Sequence, residues 1–281
     1  MTNQDYHQYL EQPFLEKVVA MAKAAGAAIV QVYSTEFSVA LKEDDSPLTH
    51  ADLAAHHVIV SALNALTPHI PILSEESEIV DFEIRSQWTQ YWLIDPLDGT
   101  REFVKRNGEF TVNIALINNN SAVLGVVYAP VTELSYFASR GHGAYKQLKN
   151  EVPIAIHTKL LNPEQPIIAG SRSHTDEKMQ RFMRNLETHL KSAYGDAKPE
   201  LISMGSSLKI CLVAEGVADV YPRLGPTYEW DTAAAHCILN EAGGDVVDAE
   251  STSLTYNTKP SLLNPCFFAQ GGDTHLWANY L

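Results

Sequence analysis

The sequence predicts a mixed α/β protein, and three features carry that expectation. Apolar residues recur at helical spacing in the first quarter, short β-rich runs fill the middle, and strands alternate with helices towards the end. With 281 residues, 45% of them hydrophobic, the chain can bury a large core as one big domain or two closely packed ones.

From about Phe14 to Val32, Leu15, Val18, Val19, Ala22 and Ala25 fall on one helical face, which predicts a helix laid along the core. Phe37 to Leu41 alternates as a short strand, and Glu43-Asp44-Asp45-Ser46-Pro47 reads as an exposed acidic loop. Thr49-His50-Ala51-Asp52 opens a second helix, with Ala55, Ile59, Leu63 and Leu66 as its buried stripe and Thr67-Pro68 as its end. Thr49 and Asp52 fit a capping box, so a purely structural role for the pair stands beside any chemical one. His56 and His57 are adjacent and point to different sides of that helix, a poor arrangement for a metal. Ile70-Pro71-Ile72-Leu73 then forms a strand that delivers Ser74-Glu75-Glu76-Ser77 at its end.

The most informative stretch runs from Tyr91 to Phe103. Trp92, Leu93 and Ile94 read as the end of a buried strand, Pro96 is expected to stop its ladder, and Gly99 permits a tight turn. Asp95 and Asp98 are thereby set at a strand end. A helical segment from Thr100 to Arg106, closed by Asn107-Gly108, would let the amides of Gly99 and Thr100 face an anion. Asp-Pro and Asp-Gly are also ordinary turn pairs, so the arrangement does not by itself dictate a site.

Thr111 to Ile117, Ala122 to Ala129 and Glu133 to Ser139 predict an antiparallel meander, and Gly141 to Tyr145 a turn into one more strand. The seam between two halves, 1–150 and 151–281, is expected within Asn150 to Pro166. Beyond it, Ile167 to Ala169 is a strand entering the polar loop Gly170-Ser171-Arg172-Ser173-His174, followed by an amphipathic helix from about Thr175 to Leu190. Gly205-Ser206-Ser207-Leu208-Lys209 leads into a helix through Glu215, and Val217 to Tyr221 is a strand ending at Pro222-Arg223. Lys209 and Arg223 are surface residues by default, yet both flank small polar residues suited to an anion pocket. Glu229-Trp230-Asp231 opens a slim, alanine-rich helix that Gly243-Gly244 ends, and Asp231 is also a fitting N-cap. Val246 to Asp248 and Cys266 to Ala269 read as closing strands.

The formal charge of −14 argues against a nucleic-acid polymer as partner, and it sets a barrier to any phosphate ester unless cations offset it. Cys211, Cys237 and Cys266 lack metal-binding spacing and sit among apolar neighbours, so buried free thiols in a reducing compartment are expected. The polar, acidic start of the chain does not read as a signal peptide, and no apolar run reaches the roughly 18 residues of a membrane helix. A cytoplasmic protein follows, with peripheral attachment to the inner face of a membrane left open.

Asp95-Pro96-Leu97-Asp98-Gly99-Thr100 resembles the first signature of the inositol monophosphatase-like family of metal-dependent phosphatases. The string Trp230-Asp231 through Gly243-Gly244 matches the second signature of that family, Glu75-Glu76 resembles its paired-glutamate element, and Thr49 to Asp52 its Thr-x-x-Asp. The resemblance implies a layered α/β sandwich of the inositol monophosphatase and fructose-1,6-bisphosphatase kind, with the site between an N-terminal α+β half and a C-terminal α/β half. It implies Mg²⁺, two or three ions, with Glu75, Asp95 and the carbonyl of Leu97 on the first and Asp95, Asp98 and Asp231 on the second. Oxygen-only ligands suit that ion. Asp52, paired with Thr100, is implied as the group that orients water and takes its proton, with Glu75 also catalytic and Glu76 supporting it.

Phe110 to Ile117, Gly205 to Lys209 and Tyr221-Pro222-Arg223 are similar to the branch of that family that acts on 3′(2′),5′-bisphosphate nucleotides. This implies adenosine 3′,5′-bisphosphate as substrate, AMP as product, a place in sulfur metabolism, and inhibition by lithium and calcium. Asp98, Gly99, Thr100, Arg101 and Asp231 would meet the phosphoryl group, Lys209 and Arg223 the second phosphate, and Ser206 and His174 the nucleoside. An inositol or other sugar phosphatase is the nearer rival. A catalytically silent metal-binding protein on the same fold is the remoter one.

Overall fold

Alternation along three central strands sets the architecture. In the computed structural model, residues 6–34, 39–41, 47–171, 177–272 and 275–281 are described, with 39–41 and 47–49 as backbone only. The elements run α1 (Gln12–Tyr33), β1 (Val39–Leu41), β2 (Pro47–Thr49), α2 (His50–Leu66), β3 (Ile72–Ser74), α3 (Phe82–Arg85), β4 (Gln90–Asp98), α4 (Thr100–Val104), β5 (Thr111–Asn118), β6 (Ser121–Ala129), β7 (Leu134–Ser139), β8 (Ala144–Leu148) and β9 (Ile154–Ile156). They continue with β10 (Ile167–Ser171), α5 (Glu177–Tyr194), β11 (Glu200–Met204), α6 (Leu208–Ala214), β12 (Val220–Arg223), α7 (Glu229–Glu241), β13 (Asp245–Asp248) and β14 (Phe267–Gln270).

Strands β3 to β9 form a seven-stranded sheet in sequence order, parallel at β3–β4 and antiparallel thereafter. The meander read from the sequence is its centre. A five-stranded sheet has the order β11-β10-β12-β14-β13, with β10 parallel to both neighbours and β14 antiparallel to both of its own. β1 and β2 make a separate antiparallel pair.

Because side chains alternate along a strand, Trp92 and Ile94 of β4 and Val112, Ile114 and Leu116 of β5 join the core under α1 and α2. Tyr91, Leu93, Ala115 and Ile117 point the other way, to α6 and α7. All eight residues of β5 are buried, since both of its faces are covered. Helix α1 contributes Leu15, Val18, Val19, Ala22 and Ala25 as the foreseen stripe, and Ile29 extends it. Helix α5 lays Met179, Phe182, Leu186 and Leu190 on the outer face of the five-stranded sheet. The layers are therefore helix, sheet, helix, sheet, helix, the sandwich expected from the resemblance.

Close approach of the central layers rests on small residues. A Cβ at Gly125 of β6 would lie 2.1 Å from the carbonyl oxygen of Ala234 in α7, so only glycine opposite an alanine-rich helix permits this spacing. Among the described residues no helix is long and apolar enough to cross a membrane. Cys211 and Cys237 are buried free thiols as expected, whereas Cys266 is only half-buried, because it precedes β14 beside the chain carbonyl of Leu224.

Several boundaries differ from the sequence reading. Proline 96 does not end β4: pairing with β5 resumes at Asp98, and Pro96 and Leu97 sit in a bulge between Asp95↔Asn113 and Asp98↔Thr111. A bulge is where a residue without an N–H fits in a sheet. Helix α4 stops at Val104, before the foreseen Arg106, which has a positive φ of 56°. The predicted strand at Val217 begins three residues later, because the N–H groups of Val217 and Ala218 still bond the carbonyl of Leu212 and finish the turn after α6. Strands β9 and β11 and helix α3 were not anticipated; β9 and β11 are short sheet edges, with weaker patterns than buried strands.

Candidate active site

The parallel pairing of β3 with β4 aligns Ile72, Leu73 and Ser74 with Trp92, Leu93 and Ile94. The next residues, Glu75 and Asp95, therefore leave adjacent strands at the same end, and the Glu75 N–H donates to the Ile94 carbonyl at 3.2 Å. Asp95 is 1% exposed, and its Oδ1 accepts the Leu97 N–H at 3.0 Å across the bulge. That contact turns the chain and brings Asp98 to the same rim. Gly99 follows with φ of +94°, a conformation that strains other residues, and Thr100 begins α4.

Asp231 arrives from the other half, at the third residue of α7. It is not the N-cap; Tyr228 is, and the Asp231 Oδ2 accepts the Tyr228 N–H at 2.9 Å. Asp98 is gripped by the loop before α6: the Ser207 N–H and hydroxyl lie 2.6 and 2.7 Å from its Oδ2. The same hydroxyl lies 2.6 Å from the Asp231 carbonyl oxygen. One serine thus spans the Asp98 carboxylate and the Asp231 backbone, residues from distant parts of the chain.

A cavity of about 570 Å³ is lined by Glu75, Asp95, Leu97, Asp98, Asp231, Gly99, Thr100 and Arg101, together with Ser206, Lys209, Tyr221 and Arg223. Lys209 is 5% exposed, donates to the Ser206 carbonyl and lies with Nζ 5.2 Å from the centroid of the Tyr221 ring. Burial depresses its pKa to about 8, against the opposing pull of Asp98. The default of a surface lysine is therefore overturned, because α6 is buried all round. Arg223 is half-buried and donates to the Pro226 carbonyl at 2.8 Å. Ser206 holds a positive φ of 47°, and its buried hydroxyl has no hydrogen-bond partner among the described residues. Backbone strain with an unsatisfied hydroxyl, facing a cavity, marks a binding position.

Electrostatics tests whether metal fits. Burial raises the Asp95 pKa well above the carboxylate range, and Glu75, Asp98, Asp231 and Asp52 raise it further in that order. Burial does the same for Asp231, followed by Asp98 and Glu75, with the Tyr228 N–H and Arg223 opposing. One buried acid, Asp95, crowded by the half-buried Glu75, Asp98 and Asp231 is a donor set short of positive charge, which divalent cations would supply. Among the described residues no three His, Cys, Asp or Glu side chains close into a preformed cage, so the acids share a cavity and a field.

Asp52 is 1% exposed in the first turn of α2. The side chain of Thr49 and all of His174 lie outside the described residues. His56 is a packing residue, as expected, with Nδ1 2.9 Å from the Ser74 hydroxyl. The sequence gives no individual role to Asn113 or Tyr221, which sit inside apolar runs, nor to Ser207, which reads only as one of the small polar residues beside Lys209.

The chain belongs to the inositol monophosphatase family, whose description matches residues 10–274. Within it, the chain is 48% identical to the 3′(2′),5′-bisphosphate nucleotidase CysQ of Salmonella typhimurium over 255 residues, 90% of this chain and 98% of that one. It is 46% identical to the CysQ of Escherichia coli strain K12 over the same shares. The crystal structure of CysQ from Bacteroides thetaiotaomicron superposes with a TM-score of 0.78 at 41% identity, covering 93% of this chain and 98% of that chain.

Proposed function

We propose that this chain is a magnesium-dependent 3′(2′),5′-bisphosphate nucleotidase that converts adenosine 3′,5′-bisphosphate to AMP and phosphate in the cytoplasm. One observation carries the reading: clustered acids line the same cavity as Arg101, Lys209 and Arg223, which suits a substrate with one phosphate to cleave and a second to hold. The near-full-length likeness to the CysQ proteins supports the same substrate.

In this reading Glu75, Asp95 and the Leu97 carbonyl would hold one ion, and Asp95, Asp98 and Asp231 another. Bound Mg²⁺ would offset the acids, draw charge from the phosphoryl oxygens and acidify water. Asp52 and Thr100 orient that water, and its proton goes to the Asp52 carboxylate. The water oxygen bonds to phosphorus as the bond from phosphorus to O3′ breaks; the O3′ alkoxide takes a proton from solvent water and leaves as AMP, and Asp52 returns its proton to solvent. The amides of Gly99 and Thr100, with Arg101 at the rim, steady the phosphoryl oxygens. Lys209 and Arg223 hold the 5′-phosphate, and Ser206 and His174 border the nucleoside.

Phosphate release from adenosine 3′,5′-bisphosphate and from inositol 1-phosphate, each with and without Mg²⁺, tests the proposal. Mg²⁺-dependent turnover that favours the nucleotide supports it. Equal or faster turnover of the inositol ester overturns it.

A further inference from the structure

Behind Asp98 runs a buried polar chain that meets the cavity wall at Ser207, while Thr111 and Asn113 stand back from it. Thr111 and Asn113 of β5 and Ser207 before α6 are all buried, at 0%, 1% and 4% exposure. The Thr111 hydroxyl donates to the Asn113 Oδ1 at 3.0 Å, and the Asn113 Nδ2 donates to the Ser207 hydroxyl at 2.9 Å. The polarity of this chain is forced. Asp98 Oδ2 lies 3.5 Å from the side of the amide that faces Ser207, and an amide oxygen there would be repelled, so the nitrogen takes that side and the serine oxygen accepts.

A serine hydroxyl has one proton to give. With its oxygen already accepting from Asn113, that proton has two acceptors in reach, Asp98 Oδ2 at 2.7 Å and the Asp231 carbonyl at 2.6 Å. An ionised carboxylate is the stronger acceptor. Together with the Ser207 N–H at 2.6 Å, it fixes Oδ2 by two donors and leaves Oδ1 for the cavity. The Asn113 Nδ2 lies 3.5 Å from Oδ2, too long to substitute for the hydroxyl.

We infer that Thr111, Asn113 and Ser207 form a positioning relay that fixes Asp98 with a single oxygen presented to the divalent-cation site. The inference rests on the proposed reading of Asp98 as a cation-holding carboxylate. It assigns positioning work to two residues of β5 and to the residue that opens α6. Loss of such an outer support weakens metal binding by about 10–100-fold.

The test is Mg²⁺ binding by the full chain, stripped of divalent ions, measured by titration calorimetry without substrate. Ser207→Ala is expected to weaken Mg²⁺ binding by about 10–100-fold, and Ser207→Thr, which keeps the hydroxyl, to restore most of it. Thr111→Val, nearly isosteric and remote from the cavity, is expected to show a smaller loss of about 2–10-fold, and it serves if the serine variant does not fold. Unchanged Mg²⁺ affinity in folded Ser207→Ala, or in Thr111→Val when the serine variant is unfolded, overturns the relay. Wild-type protein that takes up no Mg²⁺ overturns the relay and the cation reading of Asp98 together. A preference for inositol 1-phosphate, with the variant effects on Mg²⁺ intact, overturns only the substrate proposal.

Discussion

The ammonium of Lys209 stands 5.2 Å from the ring centroid of Tyr221, in a cavity otherwise rich in carboxylates. A cation over an aromatic face, with its other partner the Ser206 carbonyl, is held in place before any anion arrives.

Removing that charge discriminates between the two phosphatase readings. For Lys209→Met, kcat/KM on adenosine 3′,5′-bisphosphate is expected to fall by about 10–100-fold, the worth of one charged hydrogen bond. Turnover of inositol 1-phosphate, which has no second phosphate, stays within about threefold. Steady-state kinetics on both esters checks this.

Asp95 is the acid most crowded by its neighbours. In chelator, Asp95→Asn removes a buried charge from that cluster, so the variant melts at or above the wild-type temperature. With Mg²⁺ present the order reverses, because only the wild type gains from binding. Activity falls by more than about 100-fold, beyond the range for outer-shell changes. Thermal melts with and without Mg²⁺ decide the matter, and an Asp95→Asn protein less stable than wild type in chelator contradicts it.

Gly125 measures how tightly the central layers pack. Gly125→Ala must push α7 away from β6, since the new Cβ would meet the Ala234 carbonyl at 2.1 Å and the Cys237 Cβ at 3.0 Å. Overpacking of this kind costs about 1–3 kcal/mol, roughly 2–12 °C in Tm for a chain near this size. Calorimetry reads it directly.

Away from the cavity, Asp245 links β13 to α7 through His236, whose other nitrogen meets the Tyr256 hydroxyl at 2.8 Å. Burial alone would raise the Asp245 pKa, but the bonds from His236, Ser253 and the Val246 N–H outweigh it and hold it below the ordinary value. A depressed acid stabilises the fold above its unfolded pKa of about 3.9 and loses that contribution as pH falls through the folded value. Asp245→Asn is therefore less stable than wild type at pH 6, and the gap narrows below about pH 4. Urea denaturation across that range measures it.

How much was readable in advance follows from what each residue answers to. Glu75, Asp95, Asp98 and Asp231 stood out because their signatures are contiguous, and the structure brings all four to one cavity. The stripes of α1 and α5 and the meander were legible because helix and strand periods are written into the apolar residues. The bulge at Pro96 was not, since a proline in a strand pattern signals a stop as readily as a bulge. Burial of Lys209 was also hidden, because α6 has no polar face to betray its surroundings. Ser207 escaped notice for a further reason: its partners, Asp98 and Asn113, are 109 and 94 positions away.

The loop at 205–207 makes the gap between the two sheets something turnover senses. Its Gly205 N–H is tethered to the Glu109 carboxylate at 2.9 Å, while Ser207 grips Asp98. Slight parting of the layers unlatches the acid without unwinding a helix or unzipping a strand. Catalysis in such a molecule fails early, at denaturant concentrations where its circular dichroism is still that of the native protein.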